Sequence, residues 1–123
     1  MRHLAAAMLL LALAACTEAG PSPKTPARVQ VVDKLIRAIE VGDCQKVKDL
    51  VVTPSEIDCG QITESIGLLA DEGIDVDEIS YDAGPVNGPS STVEITWNKT
   101  MPRESMDVQR VDGEWLVVFD SAA

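Results

Sequence analysis

The sequence predicts an α+β fold in which N-terminal helices pack on an antiparallel sheet. Three observations predict it. Apolar residues recur at three- and four-residue steps from Val29 to Leu69. After Gly73 the step shortens to two. Turn dipeptides then divide the second half: Gly84-Pro85, Gly88-Pro89 and Asp112-Gly113. Helices first and strands afterwards is an α+β order, whereas a parallel sheet would need the two to alternate. The length suits one domain over residues 27–121, and no internal repeat divides it.

The first helix begins at Ala27. Val29, Val32, Ile36 and Ile39, joined by Leu35, form its apolar stripe. Gly42 ends it as a C-terminal glycine. Asp43 is the N-cap of a second helix, Cys44 to Val52, which buries Val47, Leu50 and Val51. Thr53-Pro54 stops that helix, because the residue before proline is pushed out of the helical region. Ile62, Ile66 and Leu69 mark a short third helix, weakened by Gly67. A first strand runs from Val76 to Ala83 through Ile79 and Tyr81. In the second, Val93, Ile95 and Trp97 alternate with Glu94, Thr96 and Asn98, the pattern of a half-buried strand. Pro102 makes Lys99 to Arg103 a bend. Met106, Val108 and Arg110 lead to Asp112-Gly113, a hairpin turn. Trp115 to Phe119 is the last strand, and its unbroken apolar run predicts burial on both faces, or an inner strand covered by helices.

The N-terminus carries the most specific signal. Met1-Arg2-His3 is short and positive, and Leu4 to Ala15 is uncharged and apolar. A helix of about 12 residues spans roughly 18 Å, too little for a hydrocarbon core of about 30 Å. Residues 1–15 therefore read as a secretory signal. They close on Leu13-Ala14-Ala15-Cys16, which resembles the lipobox of bacterial lipoproteins. That resemblance implies cleavage before Cys16 and attachment of diacylglycerol to its sulfur, often with N-acylation. The domain would then hang from a cell membrane, outside the cytoplasm. Each buried methylene contributes about 0.8 kcal/mol and stable anchoring takes two signals, so acyl chains on one residue suffice. Residues 16–26, with Pro21, Pro23 and Pro26, read as the lipidated cysteine and its tether, about 30 Å at full stretch.

With Cys16 lipidated, Cys44 and Cys59 remain as a pair, and outside the cytoplasm a pair can stay oxidised. Two free thiols is the alternative. A metal site lacks CxxC spacing, and the only histidine, His3, lies in the signal. No cofactor is expected.

The chain has 10 basic and 20 acidic residues. Loss of Arg2 with the signal leaves 9 against 20, a net charge of −11. Nucleic acid is excluded as a partner, since phosphate contacts need Lys and Arg patches. Net charge of this sign is also repelled by anionic headgroups. Asp71, Glu72, Asp75, Asp77, Glu78 and Asp82 form an acidic run with no EF-hand frame, which reads as a solvated edge rather than a calcium loop. Asn98-Lys99-Thr100 matches a glycosylation acceptor and reads as a strand end.

Three stretches together resemble the NTF2-like (cystatin-like) family, and within it small actinobacterial lipoproteins. They are Leu35-Ile36-Arg37-Ala38-Ile39, the Gly42-Asp43 break, and Val111-Asp112-Gly113-Glu114-Trp115-Leu116-Val117-Val118. The resemblance covers residues 27–120. It implies a curved sheet wrapped on the helices as a cone, with an apolar pocket at the open end. Trp97, Met101, Met106, Trp115 and Tyr81 are the candidate lining of such a pocket, for an apolar small molecule. Aromatic and Met residues at strand spacing also make ordinary core, and both readings stand.

Relatives of this fold include isomerases and dehydratases that use a pocket acid or base with an oxyanion donor. Here that would require Tyr81 and an aspartate such as Asp43, Asp107 or Asp120 to share a cavity. Serine chemistry lacks both a G-x-S-x-G elbow and a histidine base. The functional expectation is a lipid-anchored, non-catalytic module that binds a ligand or an envelope protein. An enzyme using Tyr81, or a structural accessory to another membrane protein, is the alternative.

Overall fold

The computed structural model describes residues 25–119. The signal, Cys16, most of the tether and residues 120–121 of the expected domain lie outside that range. The architecture is α+β: helices in the first half, then a curled four-stranded antiparallel sheet in the order β1-β2-β3-β4.

Helix α1 spans Ala27–Val41. Proline suits its start, because the first amides of a helix have no internal partner; the Pro26 carbonyl accepts the Val29 and Gln30 N–H groups. Val29, Val31, Val32, Leu35, Ile36 and Ala38 are buried, while Ile39 is only partly so. The helix stops because Gly42 enters the left-handed region at φ 75°. There the Gly42 N–H donates to Ile39 O and the Asp43 N–H to Ala38 O, a Schellman closure of two orphan carbonyls.

Helix α2 covers Cys44–Asp49, and the Asp43 carboxylate caps it by accepting the Lys46 N–H at 3.1 Å. It ends earlier than the apolar run to Val52 predicts. Leu50–Val52 leaves the helix to line the edge of the last strand: Val117 N–H donates to Leu50 O, and Val52 N–H to Val117 O. Sheet pairing takes those backbone groups from the helix and covers an otherwise open edge.

The third helix is two pieces, α3 Cys59–Glu64 and α4 Leu68–Asp71. The stripe Ile62, Ile66, Leu69 breaks because Gly67 turns left-handed, at φ 74°. Ile62 is buried, but Ile66 is 51 % exposed. The Glu40 carboxylate accepts the Leu69 and Ala70 N–H groups, so α1 supplies the missing cap of α4.

Strand β1 is Ser80–Ala83, shorter than expected, since Val76–Glu78 forms a 3-10 turn capped by Asp75. Strand β2 is Ser90–Thr96, β3 Glu104–Val111 and β4 Glu114–Val117. The register sets Tyr81 opposite Ile95, Val93 opposite Met106 and Val108 opposite Val117. These side chains face the helices. The β3–β4 hairpin turns on Asp112 and Gly113, both at positive φ, as a two-residue turn of primed type requires. Strand β4 is not buried on both faces: Val117 is buried but Val118, just beyond it, is 44 % exposed. Among the described residues helices cover one side of the sheet, and the side chains of its other face are largely exposed. The core joins α1, Val47, Val51, Ile57 and Ile62 to Val93, Ile95, Val108 and Val117.

Candidate functional site

Cys44 and Cys59 are joined as a disulfide with a Cα–Cα distance of 5.5 Å. Each is the first residue of its helix, so the bond ties the start of α2 to the start of α3. Cys16, the expected lipid acceptor, lies outside the described residues.

Among the cavities formed by the described residues, none of those in view brings the five candidate pocket residues together. Trp97 is buried, in line with Val93 and Ile95 on the inner face of the sheet. Tyr81, Met101, Met106 and Trp115 are partly buried and pack against the same core. Trp115 also lies under the Arg110 guanidinium, 5.4 Å from its ring centre. Trp97 lines a cavity of about 640 Å³ that it shares with Asp75, Glu78, Ser80, Asn98 and Lys99. Trp97 is the one large apolar side chain in the cavity's lining, which otherwise comes from polar and charged residues and Gly73. The indole Nε1 of Trp97 is buried without a hydrogen-bond partner among the described residues. A second cavity, of about 470 Å³, lies between Pro85, Asn87, Ser91, Asp107 and Val118.

The buried polar centre of the molecule is one that spacing did not single out. Asp33 is 3 % exposed although it sits on α1 among Val31, Val32 and Leu35. Arg37, one turn on, sends its Nε to both Asp33 carboxylate oxygens, at 3.2 and 3.1 Å. Its other nitrogens reach Asp77 Oδ1 at 2.8 Å and Val76 O at 3.4 Å. From the sheet side, the Tyr81 hydroxyl donates to Asp33 Oδ1 at 3.1 Å. Burial alone would lower the Arg37 pKa. The hydrogen bond to Asp77 and the Asp33 charge outweigh it, and the guanidinium is held above its ordinary value. Burial, then the Asp33 charge and the hydrogen bond it accepts, drive the Tyr81 phenol far above its ordinary value. Tyr81 is therefore a fixed neutral donor. The signal was present in the sequence as an acid inside an apolar helix stripe with Arg four residues on.

Neither Asp43 nor Asp107 joins Tyr81. Asp43 is a helix cap, Asp107 is exposed on β3, and Asp120 lies outside the described residues. Neither Asp33 nor Tyr81 lines either cavity. All six residues of the acidic run are exposed. Among the described residues no three His, Cys, Asp or Glu side chains are grouped to hold a metal ion. Asn98 closes a turn, its Oδ1 accepting from Thr100 N–H, Thr100 Oγ1–H and Met101 N–H. No described helix is long and apolar enough to cross a membrane. No family model, curated protein or solved structure matches the chain.

Proposed function

We propose that the chain is a bacterial lipoprotein whose NTF2-like domain, held at the cell membrane by lipid on Cys16, binds an apolar small molecule or an envelope protein without catalysis. The observation that carries the anchoring is the Cys44–Cys59 bond. It leaves Cys16, at the end of Leu13-Ala14-Ala15, as the cysteine outside the disulfide, and a stable disulfide fits a compartment outside the cytoplasm. Binding at the domain draws support from Val41, Ile66 and Leu68, which are exposed near the junction of α1 with α3 and α4. Cells fed labelled palmitate are expected to label the wild-type chain and leave Cys16→Ala unlabelled and released from the membrane fraction. Label retained by Cys16→Ala would overturn the anchoring. For the bound molecule, native mass spectrometry of the detergent-extracted chain is expected to show an apolar adduct.

A second reading, a small isomerase or dehydratase, draws on the contact between Tyr81 and the buried Asp33. General acid–base work needs a group free to exchange a proton with substrate. Asp33 already accepts from Arg37 on both oxygens, and Tyr81 spends its proton on Asp33. The contact is better explained as the bolt between α1 and β1.

A further inference from the structure

The net charge of the mature chain conceals a separation of charge between its two layers. Residues 27–50, which form α1 and α2, carry Arg28, Lys34, Arg37, Lys46 and Lys48 against Asp33, Glu40, Asp43 and Asp49, a net of +1. Residues 51–119 carry Lys99, Arg103 and Arg110 against fourteen acids, a net of −11. Of the acids of the helical layer, Asp33 is buried against Arg37 and Glu40 caps α4, while Asp43, which caps α2, and Asp49 stay exposed.

The solvent side of α1 is Ala27, Gln30, Lys34, Arg37 and Val41, recurring at three- and four-residue steps. It contains no acid. Val41 is 70 % exposed. Lys34, Arg37, Val41 and Lys46 line one shallow depression where α2 meets α1, together with the exposed Asp43, and Arg37 is paired there with Asp33 and Asp77. Among the described residues neither Lys34 nor Lys46 has a carboxylate within ion-pair distance. The outer face of the sheet, by contrast, presents Asp82, Glu94, Asp107 and Glu114.

We infer that the solvent face of α1, with Lys46 of α2, docks on the anionic headgroups of the membrane that holds the chain, so that the acidic sheet points away from it. The proposal rests on the reading of Cys16 as the lipid anchor. Three arguments carry it. At physiological salt a charge is felt over about 8 Å, and a packed helix is about 10 Å across. Headgroup phosphates therefore respond to Lys34 and Lys46, opposed in the depression by Asp43, rather than to the fourteen acids of the layer behind them. Second, the tether enters α1 directly, so this helix is the part of the domain nearest the anchor in the chain. Third, each Lys near an anionic surface shifts the docked-to-undocked ratio only about fivefold. That is too little to hold a free protein, but it is enough to orient one already kept at high local concentration by a tether of about 10 residues.

The test uses the full chain as cells produce it, methyl-labelled at valine, in phosphatidylcholine nanodiscs with or without phosphatidylglycerol and doped with a gadolinium-chelating lipid. Val41 methyl signals are expected to broaden at least about twofold more than those of Val111 and Val118, which face outward from the sheet layer, and only when phosphatidylglycerol is present. In K34E/K46E the docked-to-undocked ratio should fall by about 25-fold or more, and the excess at Val41 should vanish. Both positions are exposed, and unchanged core methyl signals would show that the variant folds. Equal broadening on the two sides, an excess that does not need phosphatidylglycerol, or an excess that survives K34E/K46E would each overturn the proposal. Intact mass reports the lipid on Cys16 independently. If it is absent, the anchoring reading fails by itself. The same nanodisc comparison on chain coupled at Cys16 to a maleimide lipid still decides the docking.

Discussion

A single buried carboxylate organises the polar interior. Asp33 sits among valines and leucine because three donor contacts, two from Arg37 and one from Tyr81, replace the water it gave up. Arg37 is about a third exposed, so the ion pair as such contributes little. The larger effect is the cost of leaving partners unsatisfied. Asp33→Ala strands the Tyr81 hydroxyl and is expected to cost about 2 kcal/mol in urea unfolding; Tyr81→Phe should cost about 1.5 kcal/mol. Because the two share one hydrogen bond, the double variant should lose less than the sum. Tyr81 is the chain's only tyrosine, so phenolate absorbance reports it alone. Its folded pKa is raised, chiefly by burial. The stability it contributes is then fully present below the unfolded value of about 10 and is lost as pH rises above it. Native protein should show no phenolate signal near that pH, and the signal should appear only with alkaline unfolding. Ordinary titration of the folded chain would refute the buried contact. The Asp33–Arg37 spacing was legible as a helical pair, but its partner Tyr81 is 48 residues away and no local pattern links them.

Between elements, two junctions hold the helical layer. The first is the Gly42 cap. A Cβ placed there would lie 2.5 Å from Ile66 Cδ1, and the φ of 75° is unfavourable for other residues. Gly42→Ala should destabilise by about 1–2 kcal/mol. Trimming Ile66 to Ala relieves the clash but not the backbone strain, so the loss should shrink without disappearing, as thermal melts of the pair can show. The second junction is the disulfide. The loop it closes has a sequence separation of 15, for which chain entropy gives about 3 kcal/mol. Cys44→Ser/Cys59→Ser is expected to lower the denaturant midpoint accordingly. The caps Gly42 and Asp43, the Asp112-Gly113 turn and the face of β2 could all be read locally, because each depends on neighbours within a few residues. The length of α2 and the break at Gly67 could not. Leu50–Val52 belongs to the edge of β4, about 65 residues away, and Glu40 caps α4 from another helix.

At the scale of the whole molecule, the reading is a small acidic domain held by lipid and oriented by a helix face that carries little of that acidity. Cys16→Ala should move the chain from the membrane fraction to the soluble one while leaving the Cys44–Cys59 bond and the melting temperature unchanged, since the described core is built from residues 29–119. The sequence by itself determined the α+β order, the ends of α1 and the hairpin turn, all carried by contiguous residues whose chemistry acts locally. Tertiary structure alone decided which apolar residues are core and which are surface. It left Ile66, Val41 and Val118 in solvent and drew Asp33 inside, because burial is set by what packs on the other side of each element. It also decided that the charge is divided between two layers, because a sum over the chain carries no direction and only folding assigns each charge to a face.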